Sequence, residues 1–343
     1  MKTAVLVGCG AMARGWLSAL RDTPGLRDRV KIVGLVDLST SVARDLAQEF
    51  DLSDVVIDAD LSSVLATTKP NMVFDIVVPD ARKAVVMAGL EHGCHVLSEK
   101  PMATSLQDAR DILSVAQAGN LTQAVVQNRR FHAGVRRIHS AIENQLIGDL
   151  TSLHCDFFLG PHFGGFREDM DHVLLLDMAI HTFDAARFMS NAAPRNVYCQ
   201  ETNPAHSWYR TGASANAIFE LENDITFTYR GSWCAEGVNT SWESAWRFVG
   251  TKGSLTWDGG DRFVGQIVDG EDGFFRPLKD VDVPEISDLA QTHGHASVLS
   301  DFLNALETGA APETVGTDNI KSLAMVLAAI ESATCGTRVN IID

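Results

Sequence analysis

Ala4-Val5-Leu6-Val7-Gly8-Cys9-Gly10-Ala11-Met12-Ala13-Arg14-Gly15-Trp16 admits three readings, and one of them builds a fold. With Lys2 in front, it has the outline of a secretion signal; Leu6-Val7-Gly8-Cys9 has the form of a lipoprotein cleavage site; Gly8-x-Gly10-x-x-Ala13 can cradle a pyrophosphate. A signal needs an apolar stretch of roughly 7 to 15 residues after its charged start. Here Gly8 ends the apolar run that began at Ala4, and Arg14 arrives before it can resume. That length argues against secretion and against lipidation at Cys9, and the phosphate cradle stands. Gly8 and Gly10 follow a buried-type strand and open a helix, where small residues let backbone N–H groups and the helix's positive end approach an anion. Ala13 takes the third small position, where the helix packs on the strand.

The pattern continues outward from this loop. Residues 4–7, 30–36, 55–57, 72–78, 95–97 and 124–126 are short, apolar, β-branched runs with helix-like segments between them. Continuous rather than alternating apolarity marks a parallel sheet covered on both faces, so the first part reads as a doubly wound α/β unit. After about residue 130 come a helix at 133–144 and alternating, aromatic-rich segments of antiparallel character. Turns are expected at Glu222-Asn223-Asp224 and Gly250-Thr251-Lys252-Gly253. Helical patterns at 296–306 and 319–333 and a last strand at 338–341 close the chain. The expected domains are 1–125, binding a dinucleotide, and 126–343, an α/β domain with a large open, mainly antiparallel sheet.

Composition narrows the classes. A chain of 343 residues, 45% of them apolar and 21% charged, can bury a large core. No run approaches the roughly 18 to 20 uninterrupted apolar residues of a membrane span, so no membrane partner is expected. A formal charge of −16 disfavours nucleic acid, and Arg129-Arg130 with Arg136-Arg137 is too small a cluster to reverse it. The six cysteines lack C-x-x-C spacing, which fits reduced, mostly buried thiols and a cytoplasmic setting.

Two acidic positions add to the cradle. The second strand runs into Asp37, where a carboxylate accepts hydrogen bonds from an adenosine ribose; its alternative role is to cap the next helix, which Ser39 or Thr40 can also do. No guanidinium follows to hold a 2′-phosphate, which favours NAD over NADP. The fifth strand ends in Glu99-Lys100-Pro101, where open α/β sheets place ligands and where Pro101 stops the strand, although an exposed Glu–Lys pair is the plainer alternative.

Together, Gly8-Cys9-Gly10, Asp37, Pro79, Glu99-Lys100-Pro101, Asn128-Arg129-Arg130-Phe131 and "DMAIHTFD" at 177–184 resemble the Gfo/Idh/MocA family of dehydrogenases. Glucose–fructose oxidoreductase and myo-inositol dehydrogenase belong to that family. The resemblance spans essentially the whole chain. It implies a Rossmann domain, an open-sheet domain used for substrate and subunit contacts, and NAD(P)-dependent oxidation of sugars, sugar derivatives or cyclitols. Carried over, it implies cofactor contacts at Gly8, Gly10, Ala11, Met12, Asp37, Pro79, Glu99 and Lys100, and catalytic roles for Lys100, Asp177 and His181. Two departures stand out. Pro79-Asp80-Ala81-Arg82-Lys83 replaces the family's Pro-Asn-x-x-His, and "HVLLL" replaces a glycine run before Asp177.

On their own chemistry, Asp177 and His181 are four apart and share a helix face, with Asp184 further along the same side. A carboxylate beside an imidazole orients it and raises its basicity, as suits a group taking a hydroxyl proton; an exposed polar pair is the plainer alternative. His172 is out of phase with His181 on such a helix, so no metal site is expected. Oxidising a secondary alcohol needs a hydride acceptor, a base and a group that stabilises charge on oxygen; NAD, His181 and Lys100 fill those roles. Arg130, His162, Arg167 and Trp233 are the expected ring contacts. A regulator similar to the yeast galactose-regulon repressor, or an NAD-dependent glycoside hydrolase without net redox, are the alternatives. The amphipathic strands predict a homodimer or homotetramer.

Overall fold

All six apolar runs of the first part are strands in the computed structural model, which describes residues 1–343. They are β1 (Lys2–Val7), β2 (Val30–Val36), β3 (Val56–Asp58), β4 (Met72–Asp75), β5 (His95–Ser98) and β6 (Gln123–Val125). Between them lie α1 (Ala11–Asp22), α2 (Thr40–Glu49), α3 (Leu61–Thr68), α4 (Pro79–Glu91) and α5 (Leu106–Ala118). The sheet is parallel, in the order β3-β2-β1-β4-β5-β6. The order reverses between β1 and β4, and the crevice outside the carboxyl ends there is where such sheets bind ligands. Strand β4 is shorter than its sequence suggests. It stops at Asp75 because that carboxylate accepts the amide of Val77, while Pro79 sits in the first turn of α4.

The chain divides into two units, Met1–Asn128 with His293–Ile320, and Arg129–Thr292 with Lys321–Asp343. The expected uninterrupted second domain, 126–343, is therefore corrected. A late segment carrying α8 returns to the first unit, where the amide of Val125 donates to Thr314 and Arg29 pairs with Glu307.

The second unit contains α6 (Ala133–Glu143), a π-helical turn (Leu174–Ala179) and α7 (Ile180–Ser190). Helix α8 (His295–Thr308) lies in the first unit, and α9 (Gly316–Cys335) straddles the division. Nine strands make the second sheet: β7 (Leu150–Phe158), β8 (Pro194–Thr202), β9 (Ser214–Leu221), β10 (Thr226–Ser232), β11 (Ala245–Gly250), β12 (Gly253–Trp257), β13 (Phe263–Val268), β14 (Leu278–Val281) and β15 (Val339–Asn340). Their order is β14-β13-β12-β11-β7-β10-β9-β8-β15, antiparallel except where β10 meets β7. Both expected turns are present, with Asn223 and Asp224 in the left-handed region at φ 58°. Alternation puts Leu153, Cys155 and Phe157 of β7 and Phe227 and Tyr229 of β10 into one core with Phe183 and Met189 of α7. Five of the six cysteines are buried and none is bridged. No helix is long and apolar enough to cross a membrane.

Candidate active site

In the first unit the glycine loop is shaped by contact with β4's end. Gly8 has φ +91°, and a Cβ there would lie 2.8 Å from the Ile76 carbonyl oxygen, so only glycine fits. Gly10 caps α1 without any side-chain bond, and the space a Cβ would take above it is open. The first amides of α1 thus face an uncapped helix start, the arrangement that receives a pyrophosphate. Asp37 reaches back to the same loop: Oδ2 accepts the amide of Cys9 at 2.8 Å and Oδ1 that of Ser39 at 2.9 Å. A dinucleotide fits this set, with backbone donors for phosphate and a carboxylate at the end of β2 for a ribose.

The adjacent strand end carries Lys100. Glu99, 8% exposed, accepts from Trp16 Nε1 at 2.8 Å, and His295 Nε2 lies 3.5 Å from the same oxygen. Burial pushes this carboxyl up, but the hydrogen bonds of His295 and Trp16 and the histidine's charge outweigh that and hold it below its ordinary range. Glu99 is therefore no exposed partner of Lys100 but a buried anion. Pro79 opens α4, as its place in the motif requires. Of the residues that depart from the family pattern, Lys83 pairs with Asp108 and Asp111, whereas Arg82 is buried against Asp75 with Nε–Oδ2 2.9 Å. Desolvation raises the Asp75 carboxyl to about 6 against the pull of Arg82.

In the second unit Asp177 and His181 do not share one regular α-helix. Asp177 lies on the π-helical turn and His181 in the first turn of α7. Such turns recur at functional sites. Asp177 is buried and its Oδ2 accepts from Arg167 Nε at 2.8 Å. Arg167 follows Gly164 and Gly165, both at positive φ, and its guanidinium lies 5.0 Å from the Phe163 ring centre and 4.9 Å from that of Phe166. Asp184 does not extend this polar face. It is fully buried, with Arg130 Nε and Nη2 each 2.7 Å from its oxygens and Ser322 Oγ donating at 2.7 Å.

Arg130, expected as a ring contact, is thus drawn into the core by Asp184. Trp233 is 1% exposed and backs Phe163 and Trp242 instead of offering an open face. His162 is exposed, stacked on Trp208 at 3.7 Å and paired with Glu236 at 3.1 Å. Around Arg167 and Trp233, Phe163, Phe166 and Trp242 are open aromatic faces, each about half exposed. Sequence reading missed the two phenylalanines, whose signal was the glycine pair between them. It missed Arg82 as a buried group and His295 altogether, since nothing local ties a residue so late in the chain to Glu99. His172 lies outside the helix at φ 53°, with Nδ1 2.5 Å from Glu201.

Residues 2–127 match the family described as "Oxidoreductase family, NAD-binding Rossmann fold", and residues 135–256 match "GFO/IDH/MocA C-terminal domain". D-apiose dehydrogenase of Rhizobium rhizogenes is 24% identical over 98% of this chain and 96% of its own. An Agrobacterium radiobacter oxidoreductase, solved with NAD+, L-tartaric acid and magnesium, has the same fold at TM-score 0.84 and 21% identity, covering 99% of this chain and 98% of its own. The WlbA dehydrogenase of Bordetella pertussis, solved with NADH and UDP-GlcNAcA, aligns at TM-score 0.82 and 18% identity over 100% of this chain and 98% of its own.

Proposed function

The chain belongs to the Gfo/Idh/MocA family of NAD-binding oxidoreductases, and from that premise we propose that it moves a hydride between NAD and a secondary alcohol or ketone of a polyhydroxylated ring. NAD, when bound, supplies the hydride acceptor. His181 takes the hydroxyl proton, Lys100 hydrogen-bonds the same oxygen, and Asp177 orients the imidazole. The observation that carries this reading is the Arg167–Asp177 pair at the foot of α7, flanked by half-exposed Phe163 and Phe166. Flat apolar faces beside a fixed cation suit a sugar or cyclitol, whose C–H faces stack while its hydroxyls accept hydrogen bonds. The D-apiose dehydrogenase relative is named for a sugar, which lies within that class.

The test is net NADH formation over a panel of D-glucose, D-xylose, D-apiose, myo-inositol and D-gluconate. Accumulation is expected with at least one of them. A regulator would bind NAD and form none, and a hydrolase using NAD transiently would cleave a glycoside without net NADH. On the best substrate, His181→Ala and Lys100→Met should each lower kcat by roughly 10² to 10⁴ with little change in NAD affinity. Near wild-type turnover in both variants would remove the assignment.

A further inference from the structure

Resting on the role proposed for Lys100, we infer that Arg82 is a positioning residue for that lysine. It ties the turn carrying Lys100 to the loop on which the glycine cradle sits. Strands β4 and β5 are parallel neighbours with Asp75 level with Ser98, so the segments leaving them, Ile76 to Val78 and Glu99 to Pro101, start side by side. Between strands the ladder holds them, but beyond Asp75 and Ser98 the last backbone tie is the amide of Glu99 to the Asp75 carbonyl at 2.9 Å. Past that point a side chain must do the work.

Arg82, in the second turn's approach of α4 and 1% exposed, supplies it with all three kinds of guanidinium nitrogen. Nε donates to Asp75 Oδ2 at 2.9 Å, Nη1 to the Pro101 carbonyl at 2.6 Å and Nη2 to the Val77 carbonyl at 2.5 Å. One planar fork thus fixes the residue following Lys100 relative to the loop after β4. That loop is in turn the wall against which Gly8 closes, since a Cβ on Gly8 would meet Ile76 and Val77. Asp75 fixes the fork by accepting Nε on Oδ2 and the Val77 amide on Oδ1 at 3.2 Å. A residue that only neutralised Asp75 would need neither carbonyl. Lysine could neutralise the charge, but its three donors radiate from one nitrogen and do not reproduce the planar fork that spans Asp75, Val77 and Pro101.

The test is a double-mutant cycle of Arg82→Lys against Lys100→Met, read on the panel member that the unmodified protein oxidises fastest. It is paired with amide hydrogen exchange of the NAD-free protein. Acting through Lys100, Arg82→Lys should lower kcat about 10- to 10²-fold in the wild-type background and by under about twofold in the Lys100→Met background. Exchange in peptides spanning 76–79 and 99–103 should speed up while the rest of the first sheet stays protected. Losses that add in full, or unchanged exchange in both peptides, overturn the inference. Should Lys100→Met alone turn over like wild type, the reading beneath it fails as well, and that outcome is seen separately. If Arg82→Lys does not fold, the pair is removed as a unit in Asp75→Leu/Arg82→Met and carried through the same cycle with the same criteria.

Discussion

At the scale of a single side chain, we expect Asp37 to set cofactor choice. Its oxygens already organise the amides of Cys9 and Ser39, so the carboxylate is held at the end of β2 and is present as an acceptor before any ribose arrives. Asp37→Ala should weaken NAD more than NADP, because a 2′-hydroxyl donates to the carboxylate and a 2′-phosphate is repelled by it. Titration of the unmodified protein showing tighter NADP than NAD would contradict this. Asp184 makes a different claim on a carboxylate. With Arg130 forked onto it in the core, Asp184→Asn leaves a buried guanidinium without its charge partner and should cost about 3 to 5 kcal/mol in urea unfolding. Were Arg130 instead a substrate contact, the change would appear in KM with stability preserved. Sequence distance explains why the two carboxylates were not equally legible. Asp37's place after a strand, on which its expected role rests, is local, whereas Asp184's partner is 54 residues away.

The element that matters most is the π-helical turn before α7. Read as a plain helix, residues 177–184 place Asp177, His181 and Asp184 along one side. The wider turn puts Asp177 on its own element, within reach of Arg167, and Asp184 enters the core. Periodicity cannot reveal an inserted residue, but it did reveal every strand of the first sheet, because parallel strands buried on both faces are apolar throughout. The end of β4 and the return of α8 were hidden for the opposite reason: both depend on a side chain or segment from elsewhere. Just before the π turn, His172 is pinned by Glu201, whose hydrogen bond outweighs partial burial and raises the imidazole above its ordinary pKa. A raised histidine stabilises the fold fully below its unfolded value, near about 6.5, and loses that contribution as pH climbs through the higher folded value. The Tm advantage of wild type over His172→Gln should therefore be larger at pH 6 than at pH 9. An equal difference at both would show that the pair carries no pH-linked stability.

For the whole molecule, the question is what covers the second sheet's outer face. Alternation sends the core residues of β7, β9, β10 and β11 one way, against α7 and its neighbours, and sends His154, Asp156, Thr228, Arg230 and Arg247 the other. Among these polar groups Tyr198, Ile218 and Val264 are about half exposed, and the face holds a shallow hollow of about 690 Å³. A nine-stranded surface with helices on one side and half-exposed apolar groups set among polar ones on the other suits a self-complementary contact, the commonest route to a closed pair. The Asp156–Arg230 fork, 2.5 to 2.7 Å and partly open to solvent, would then meet its own symmetry mate or the pair's neighbours across a two-fold axis. We expect light scattering at micromolar concentration to give a dimer or tetramer, and Ile218→Arg, which sets a charge on that half-exposed face without touching the core, to shift it toward monomer. NAD titration of that variant should be unchanged, because the glycine loop and Asp37 belong to the other unit. A monomer in the unmodified protein at physiological salt would mean that this face stays open, and that its polar residues keep it soluble instead of paired.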